Sequence, residues 1–372
     1  MSTAPTGNSK KKLKVAIVAP SLRYVGGQAV QAELLLRLWR EDPDVEVSFI
    51  AVDPPLPKLF RWAGNIPGLR TVLREPIYFV HLWRGLRDVD IAHIFSASFW
   101  SFLLAPAPAW LVARLRGKKT IINYRSGEAR THLRTFRSAK FVLSRVDGIV
   151  APSGYLVEVF GEFGLKAMVV PNVVDLTQFH YRARSPLRPH LVCTRGFSTY
   201  YCVDVVVRAF AEIKKTYPDA KLDLVGGGPL EAEVRKLVDD LRLSDVNFTG
   251  VASRGQIGKC YDDADIFVNA SRLDNMPVSI IEAFAAGTPV ATTSPESIPY
   301  LVEDKVTGLL SPVGDEKALA ANVLRLLSEP ALADQLARNA YAKSSNYTWQ
   351  AVRGQWVKVY RDLTNASDGR KL

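Results

Sequence analysis

The sequence predicts an α/β chain built from two doubly wound domains, and three observations predict it. Short apolar runs alternate with amphipathic stretches, the signature of βαβ units and a parallel sheet. That alternation runs through twice, with an aperiodic, proline-broken stretch between the two passes. A length of 372 residues also suits two domains better than one or three, at roughly 100–200 residues each.

Taken in order, residues 14–20, 45–53, 90–95, 120–124, 148–151 and 168–171 read as the strands of a first domain over 1–171. Residues 172–190 show no period and contain Ser185-Pro186-Leu187-Arg188-Pro189, so they read as a linker. Residues 191–194, 221–226, 246–250, 266–269 and 289–292 repeat the strand pattern in a second domain over 191–345, with helices at 203–215 and 230–241. The tail reads as helices at 316–327, 330–342 and 349–363, and residues 346–372 form a closing helix and tail. Trp349, Val352, Trp356 and Tyr360 make an apolar stripe on that last helix, which is therefore expected to pack back on the body.

Composition narrows the function classes. A hydrophobic share of 48% with 23% charged residues excludes a fibrous or largely disordered chain. Cys193, Cys202 and Cys260 are odd in number and dispersed, which fits neither a disulfide framework nor a zinc site and points to the reducing cytoplasm. The apolar run after the N-terminal lysines, Val15 to Pro20, is too short for a signal-peptide core. Ile94 to Ala113 has no charge, but Pro106 and Pro108 lie inside it, so it reads as a strand end running into a core helix.

All of the excess positive charge is in the first half. Residues 1–170 hold 24 Lys and Arg against 13 Asp and Glu, whereas residues 171–372 hold 24 of each. Such a field attracts anionic partners: phosphates, nucleic acid or an anionic membrane surface. Between Pro57 and Arg87, basic residues interleave with Leu59, Phe60, Trp62, Tyr78, Phe79 and Trp83. That mixture suits a segment at an anionic lipid interface; a half-buried helix pair with solvated arginines gives the same pattern.

Ligands of open α/β sheets bind beyond the carboxyl ends of the strands, so four loops matter most. The first holds Gly26 and Gly27 before a helix, where amides can approach an anion. It lacks the G-x-G-x-x-G spacing, which argues against a dehydrogenase. The second is Gly226-Gly227-Gly228-Pro229, and the third holds Arg195, whose guanidinium could bind a diphosphate through its planar fork. In the fourth, Asp274 stands in a loop before a helix starting near Pro277, and Glu282 lies inside that helix. Two acids eight apart can bracket a sugar nucleotide while helix N-terminal amides face its phosphates.

At these residues the sequence resembles the retaining GT-B glycosyltransferases of glycosyltransferase family 4, which have two Rossmann-like domains facing a central crevice. The resemblance runs through Gly26-Gly27, Val170-Pro171-Asn172-Val173-Val174-Asp175, Arg208-Ala209-Phe210, Gly226-Gly227-Gly228-Pro229-Leu230 and the Asp274 to Glu282 helix. It implies transfer of a hexose from a nucleoside diphosphate sugar, with retention and with no metal or other cofactor. By position Glu282 would hold the donor ribose. Asp274 and the backbone of Asn275, Met276, Pro277, Val278 and Ser279 would hold sugar and phosphates, and Arg195 the leaving diphosphate, with Gly26, Gly27 and Gly228 on the donor side. This chain has Asp274 where the family usually has glutamate, and Tyr200 and Tyr201 where it has a lysine.

For the acceptor side, His93 and Arg125 are expected at strand ends of the first domain. The acceptor expected is lipid-linked or a polysaccharide, met at the cytoplasmic face of the membrane, and nucleic acid is not expected. Two other readings stay open: a nucleotide-sugar epimerase of the same fold, and a non-catalytic basic module for membrane or nucleic acid.

Overall fold

The structure is a computed structural model, and it describes residues 12–21, 27–66, 68–96 and 98–365. The chain divides into two compact units. The first comprises residues 1–151, 159–170 and 353–372; the second comprises 152–158 and 171–352.

The first unit contains β1 (Leu13–Ala19), α1 (Gly27–Leu38), β2 (Val45–Ala51), α2 (Leu69–Gly85), β3 (Ile91–Ser96), α3 (Phe99–Leu104), α4 (Pro106–Leu115), β4 (Lys119–Tyr124), α5 (Ala129–Thr135), α6 (Arg137–Leu143) and β5 (Gly148–Ala151). Helix α7 (Gly154–Glu162) leads to β6 (Met168–Val169). Its parallel sheet has the order β2-β1-β3-β4-β5-β6. β3 is buried along its whole length and β4 from Thr120 onward, because helices cover both faces, which is why they read as largely apolar runs. The stretch from Ile94 to Ala113 becomes the end of β3 and the short helices α3 and α4. Among the described residues no helix is long and apolar enough to cross a membrane.

The second unit contains β7 (His190–Cys193), α8 (Val203–Lys214), β8 (Lys221–Val225), α9 (Glu231–Asp240), β9 (Val246–Gly250), α10 (Arg254–Asp263), β10 (Ile266–Asn269), α11 (Val278–Ala285), β11 (Val290–Thr293), β12 (Leu309–Ser311), α12 (Glu316–Ser328) and α13 (Pro330–Ser344). The sheet order β9-β8-β7-β10-β11-β12 corresponds to 3-2-1-4-5-6 in the unit's own strand sequence, the Rossmann order. The three-residue edge strand β12 has no counterpart in the sequence reading.

Two departures from the expected boundaries have clear physical causes. Residues 172–190 do not hang between domains; they are tied into the second unit. Arg182 and Arg188 both pair with the buried Asp265, at 2.5 and 2.8 Å. The buried Arg184 donates to the carbonyls of Tyr261, Ala264 and Ala286. The closing helix α14 (Trp349–Asn365) belongs to the first unit from Arg353 onward. Its stripe finds its partner there: Trp356, Tyr360 and Leu363 are buried, and Arg353 pairs with Asp42 and Asp44, each at 2.6 Å.

Candidate active site

The second sheet changes winding direction between β7 and β10, so the loops leaving those two strands diverge and open a crevice at their carboxyl ends. Arg195 lies two residues past the end of β7, and Asp274 lies in the loop after β10. The fold brings them together. The Arg195 guanidinium pairs with the Asp274 carboxylate, donates to Ser279 Oγ at 3.0 Å, and stacks 3.9 Å above the Tyr201 ring. Burial works against its charge, but Asp274 and Tyr201 outweigh burial and its pKa is raised. Arg195 Nε is buried with no hydrogen-bond partner among the described residues.

The glycine run after β8 sets the position of the arginine loop. A Cβ on Gly226 would lie 2.2 Å from the Arg195 carbonyl oxygen, and one on Gly228 would lie 2.4 Å from that of Phe197. Phe197 N donates to Gly227 O at 3.0 Å, and Leu230 N to Phe197 O at 3.1 Å. Gly226 and Gly228 thus allow one loop to lie directly on the other. The arginine loop is stitched to the Asp274 loop as well, since Arg272 N and Leu273 N both donate to the Tyr200 carbonyl.

Helix α11 turns Ile280, Ile281, Ala283, Phe284 and Ala285 into the core. Ser279 and Glu282, three apart, share the face toward Tyr261. The Tyr261 hydroxyl lies 2.9 Å from Glu282 Oε2, 2.9 Å from Ser279 O and 2.7 Å from Thr194 Oγ1. Burial pushes Glu282 up to about 7, against the opposing pull of the Tyr261 hydrogen bond and the Arg195 charge. Tyr261 escapes sequence reasoning because it looks like any other apolar position on α10, and only its hydroxyl contacts reveal it.

The loop between β10 and α11 is held by several side-chain hydrogen bonds. Asn275 N donates to Asp274 Oδ1 at 2.8 Å, Asn275 Oδ1 accepts from Ser153 Oγ at 2.5 Å, and Ser297 Oγ donates to Asp274 O at 2.6 Å. Met276 O accepts from Asn172 Nδ2 at 2.9 Å. Pro277 caps α11 with extended backbone, and Val278 is its first residue. Asn275 is 6% exposed, and its Nδ2 has no partner among the described residues. A cavity of about 320 Å³ opens beside Asp274, with Tyr155, Arg272, Glu296 and Ser297 in its wall. Among the described residues no group of His, Cys, Asp and Glu is placed to hold a metal ion.

Residues 187–343 match the family described as Glycosyl transferases group 1, and residues 25–178 match Glycosyltransferase Family 4. The two matches, both to glycosyltransferase families, fall one on each half of the chain. The alpha-monoglucosyldiacylglycerol synthase of Acholeplasma laidlawii is 26% identical over 164 residues, covering 44% of this chain and 41% of that protein. The amylovoran biosynthesis glycosyltransferase AmsK of Erwinia amylovora is 35% identical over 129 residues, 33% of this chain and 32% of its own length. The chain spans about half or less of the length of the curated relatives it matches. Among solved structures, HepE of Anabaena with UDP superposes with a TM-score of 0.74 at 16% identity, covering 94% of this chain and 100% of that one. Sucrose-phosphate synthase of Thermosynechococcus elongatus gives 0.72 at 20% identity, over 96% and 100%. These likenesses establish the GT-B fold.

Of the residues expected to bind the donor, Arg195, Asp274, Ser279 and Glu282 converge at this switch point. Gly27 is the exposed first residue of α1, and Gly26 lies outside the described residues. The acceptor-side expectation needs correction at His93. It stands in the middle of β3 and is fully buried. Asn123 Nδ2 lies 3.1 Å from its Nε2 and the Tyr360 hydroxyl 2.8 Å from its Nδ1. Phe95 and Trp356 pack against its ring at 5.2 and 4.6 Å. Burial and the nearby Arg125 charge draw its pKa down to about 3, so it is a neutral core histidine with no surface for an acceptor. Arg125 does follow β4, half-buried, with Nη1 3.5 Å from Asn123 Oδ1 and burial drawing its pKa to about 10.

Proposed function

We propose that this chain transfers a hexose from a nucleoside diphosphate sugar to a lipid-linked or polysaccharide acceptor, with retention at the anomeric carbon. The observation that carries the reading is the convergence of Arg195, Asp274 and Glu282 at the switch point of a Rossmann-ordered sheet. HepE of the same fold was solved with UDP and with UDP-glucose. Relatives named for glucosyldiacylglycerol and colanic acid synthesis support the two acceptor classes. The work is done from the cytoplasmic face of the membrane.

In this reading Glu282 accepts from the donor ribose hydroxyls, and the Asn275 to Ser279 backbone at the start of α11 faces the phosphates. Asp274 contacts the sugar, and the Asn275 side-chain amide, without a partner among the described residues, is a further donor. Gly228 acts through the loop that carries Arg195. As the bond from the anomeric carbon to the diphosphate breaks, negative charge grows on the leaving oxygen, and Arg195 meets that charge in place. The acceptor oxygen bonds to the anomeric carbon on the face the diphosphate leaves, and its proton passes to a diphosphate oxygen. Arg195 and the α11 amides supply the positive counterpart, so the reading calls for no metal. Arg125 is the acceptor-side contact.

The test is calorimetric titration with UDP- and GDP-linked sugars, using wild type and Glu282→Ala. Selective binding of one donor class, lost in the variant, supports the reading. Wild type that binds neither class overturns it.

A further inference from the structure

The first sheet winds outward from β1 to β2 and then returns past β1 to β3, β4 and β5. Because such crossovers are right-handed, α2, α4 and α6 fall on one face of the sheet, with α1 on the other. Along that face the surface is unusually apolar for one open to water. In the 3-10 segment Lys58–Asn65 only Ala63 is buried, while Leu59 is 76% and Trp62 65% exposed. Val72 and Trp83 on α2, Leu115 on α4 and Phe141 on α6 continue the exposure, between 50% and 68%.

Charge accompanies the aromatics. Residues 58–145 contain 16 Lys and Arg against 4 Asp and Glu. Arg116 lies 4.1 Å over the Trp83 ring and Arg145 3.7 Å over Phe141. A protein partner would call for an interface core depleted of charge, which this arginine-studded face does not offer, and a nucleic acid would gain nothing from Leu59, Val72 or Leu115. At the headgroup level of an anionic bilayer, apolar side chains enter the acyl boundary while guanidinium groups on aromatic rings reach lipid phosphates. We propose that the face formed by the 58–65 segment, α2, α4 and α6 docks on an anionic lipid bilayer, with Leu59 and Trp62 as the inserting residues. The 58–65 segment follows β2, so in this parallel sheet it starts from the same edge as Arg125 after β4. Docking there would bring the proposed acceptor side to a lipid-borne substrate; only that last step rests on the proposed transferase function.

The experiment measures co-sedimentation of the full chain with vesicles of phosphatidylcholine alone and of phosphatidylcholine with phosphatidylglycerol. The variants are Leu59→Ser/Trp62→Ser and Arg116→Gln/Arg145→Gln, with Lys236→Gln/Lys259→Gln on the second unit as control. Thermal unfolding and UDP binding report on folding. The proposal expects binding to the anionic vesicles only, weakened by salt. It expects a loss of about tenfold or more in each of the first two variants and none in the control. Equal binding to both vesicle types, no binding by wild type, or variants that bind like wild type would each overturn it. So would displacement onto competing RNA without vesicle binding. Glu282→Ala should still dock, so failure of donor binding and failure of docking are separate results.

Discussion

Arg195 and Asp274, 79 residues apart, meet as an ion pair across the switch point of the second sheet, with side chains only 9% and 13% exposed. A carboxylate already holds the guanidinium that a diphosphate would need. Bound nucleotide must therefore compete with Asp274 for Arg195. Asp274→Asn removes the competitor, so UDP should bind about tenfold more tightly by calorimetry while sugar transfer falls. Breaking the pair also leaves a charge poorly compensated, at a cost to stability of about 1–3 kcal/mol, discounted from a fully buried pair for partial exposure. Unchanged or weaker UDP binding in this variant would show that the carboxylate does not compete.

Tyr201, one of the two tyrosines where the family resemblance leads one to expect a lysine, offers Arg195 a ring face instead of a second charge. A cation over an aromatic ring contributes about 0.5–2 kcal/mol. Tyr201→Ala should therefore weaken UDP binding by about three- to tenfold, while Tyr201→Phe should bind as wild type because the hydroxyl is not needed for stacking. A Phe variant as weak as Ala would assign the effect to the hydroxyl.

Glu282 imposes a pH dependence. Its folded pKa of about 7 lies above the ordinary 4.5 because burial disfavours the charged form. Its contribution to stability is fully present below pH 4.5 and is lost as pH rises through about 7. Compared with wild type, Glu282→Gln should gain on the order of 1–3 kcal/mol between pH 5 and pH 8.5 in urea unfolding. Ribose binding needs the opposite form, since only the carboxylate accepts two hydroxyl hydrogens without itself donating. Nucleotide binding to wild type should tighten from pH 6 to pH 8 with proton release, seen as calorimetric heats that vary with buffer ionisation enthalpy. Absence of that buffer dependence would mean that Glu282 is already ionised in the free protein.

Much of this was readable from residue order, because a parallel sheet buried on both faces writes its strands as short apolar runs. Residues 148–151, 246–250 and 266–269 read as strands and are strands at the same positions. The loops holding Arg195 and Asp274 were found for the same reason, since they follow such runs. Their pairing was not readable, because it arises from the reversal of strand order between β7 and β10. The partner of the α14 stripe was hidden too: spacing shows that Trp356 and Tyr360 must be covered, not that His93 of β3 meets the Trp356 ring at 4.6 Å and Trp39, just past α1, the Tyr360 ring at 6.0 Å. His93 was misplaced by the same gap. A histidine inside a fully buried strand looks like a strand end until Asn123 on the neighbouring strand and Tyr360 from the chain's far end supply its hydrogen bonds.

That corrected role makes a prediction of its own. His93 and His132 are both fully buried, with pKa values drawn by burial to about 3 and about 4. Both folded values lie below the unfolded 6.5, so the stability each contributes is present above pH 6.5 and is lost as pH falls toward 3–4. Urea unfolding of wild type should weaken over that window with a slope of up to about 1.4 kcal/mol per pH unit for each histidine. His93→Gln keeps a neutral polar side chain that cannot take up the proton, so it should be less stable than wild type at pH 7 yet lose less on acidification. Because its ring reaches only core groups, its UDP affinity at pH 7 should match wild type. A His93→Gln variant that folds, keeps the full acid slope and loses nucleotide binding would return His93 to the active site.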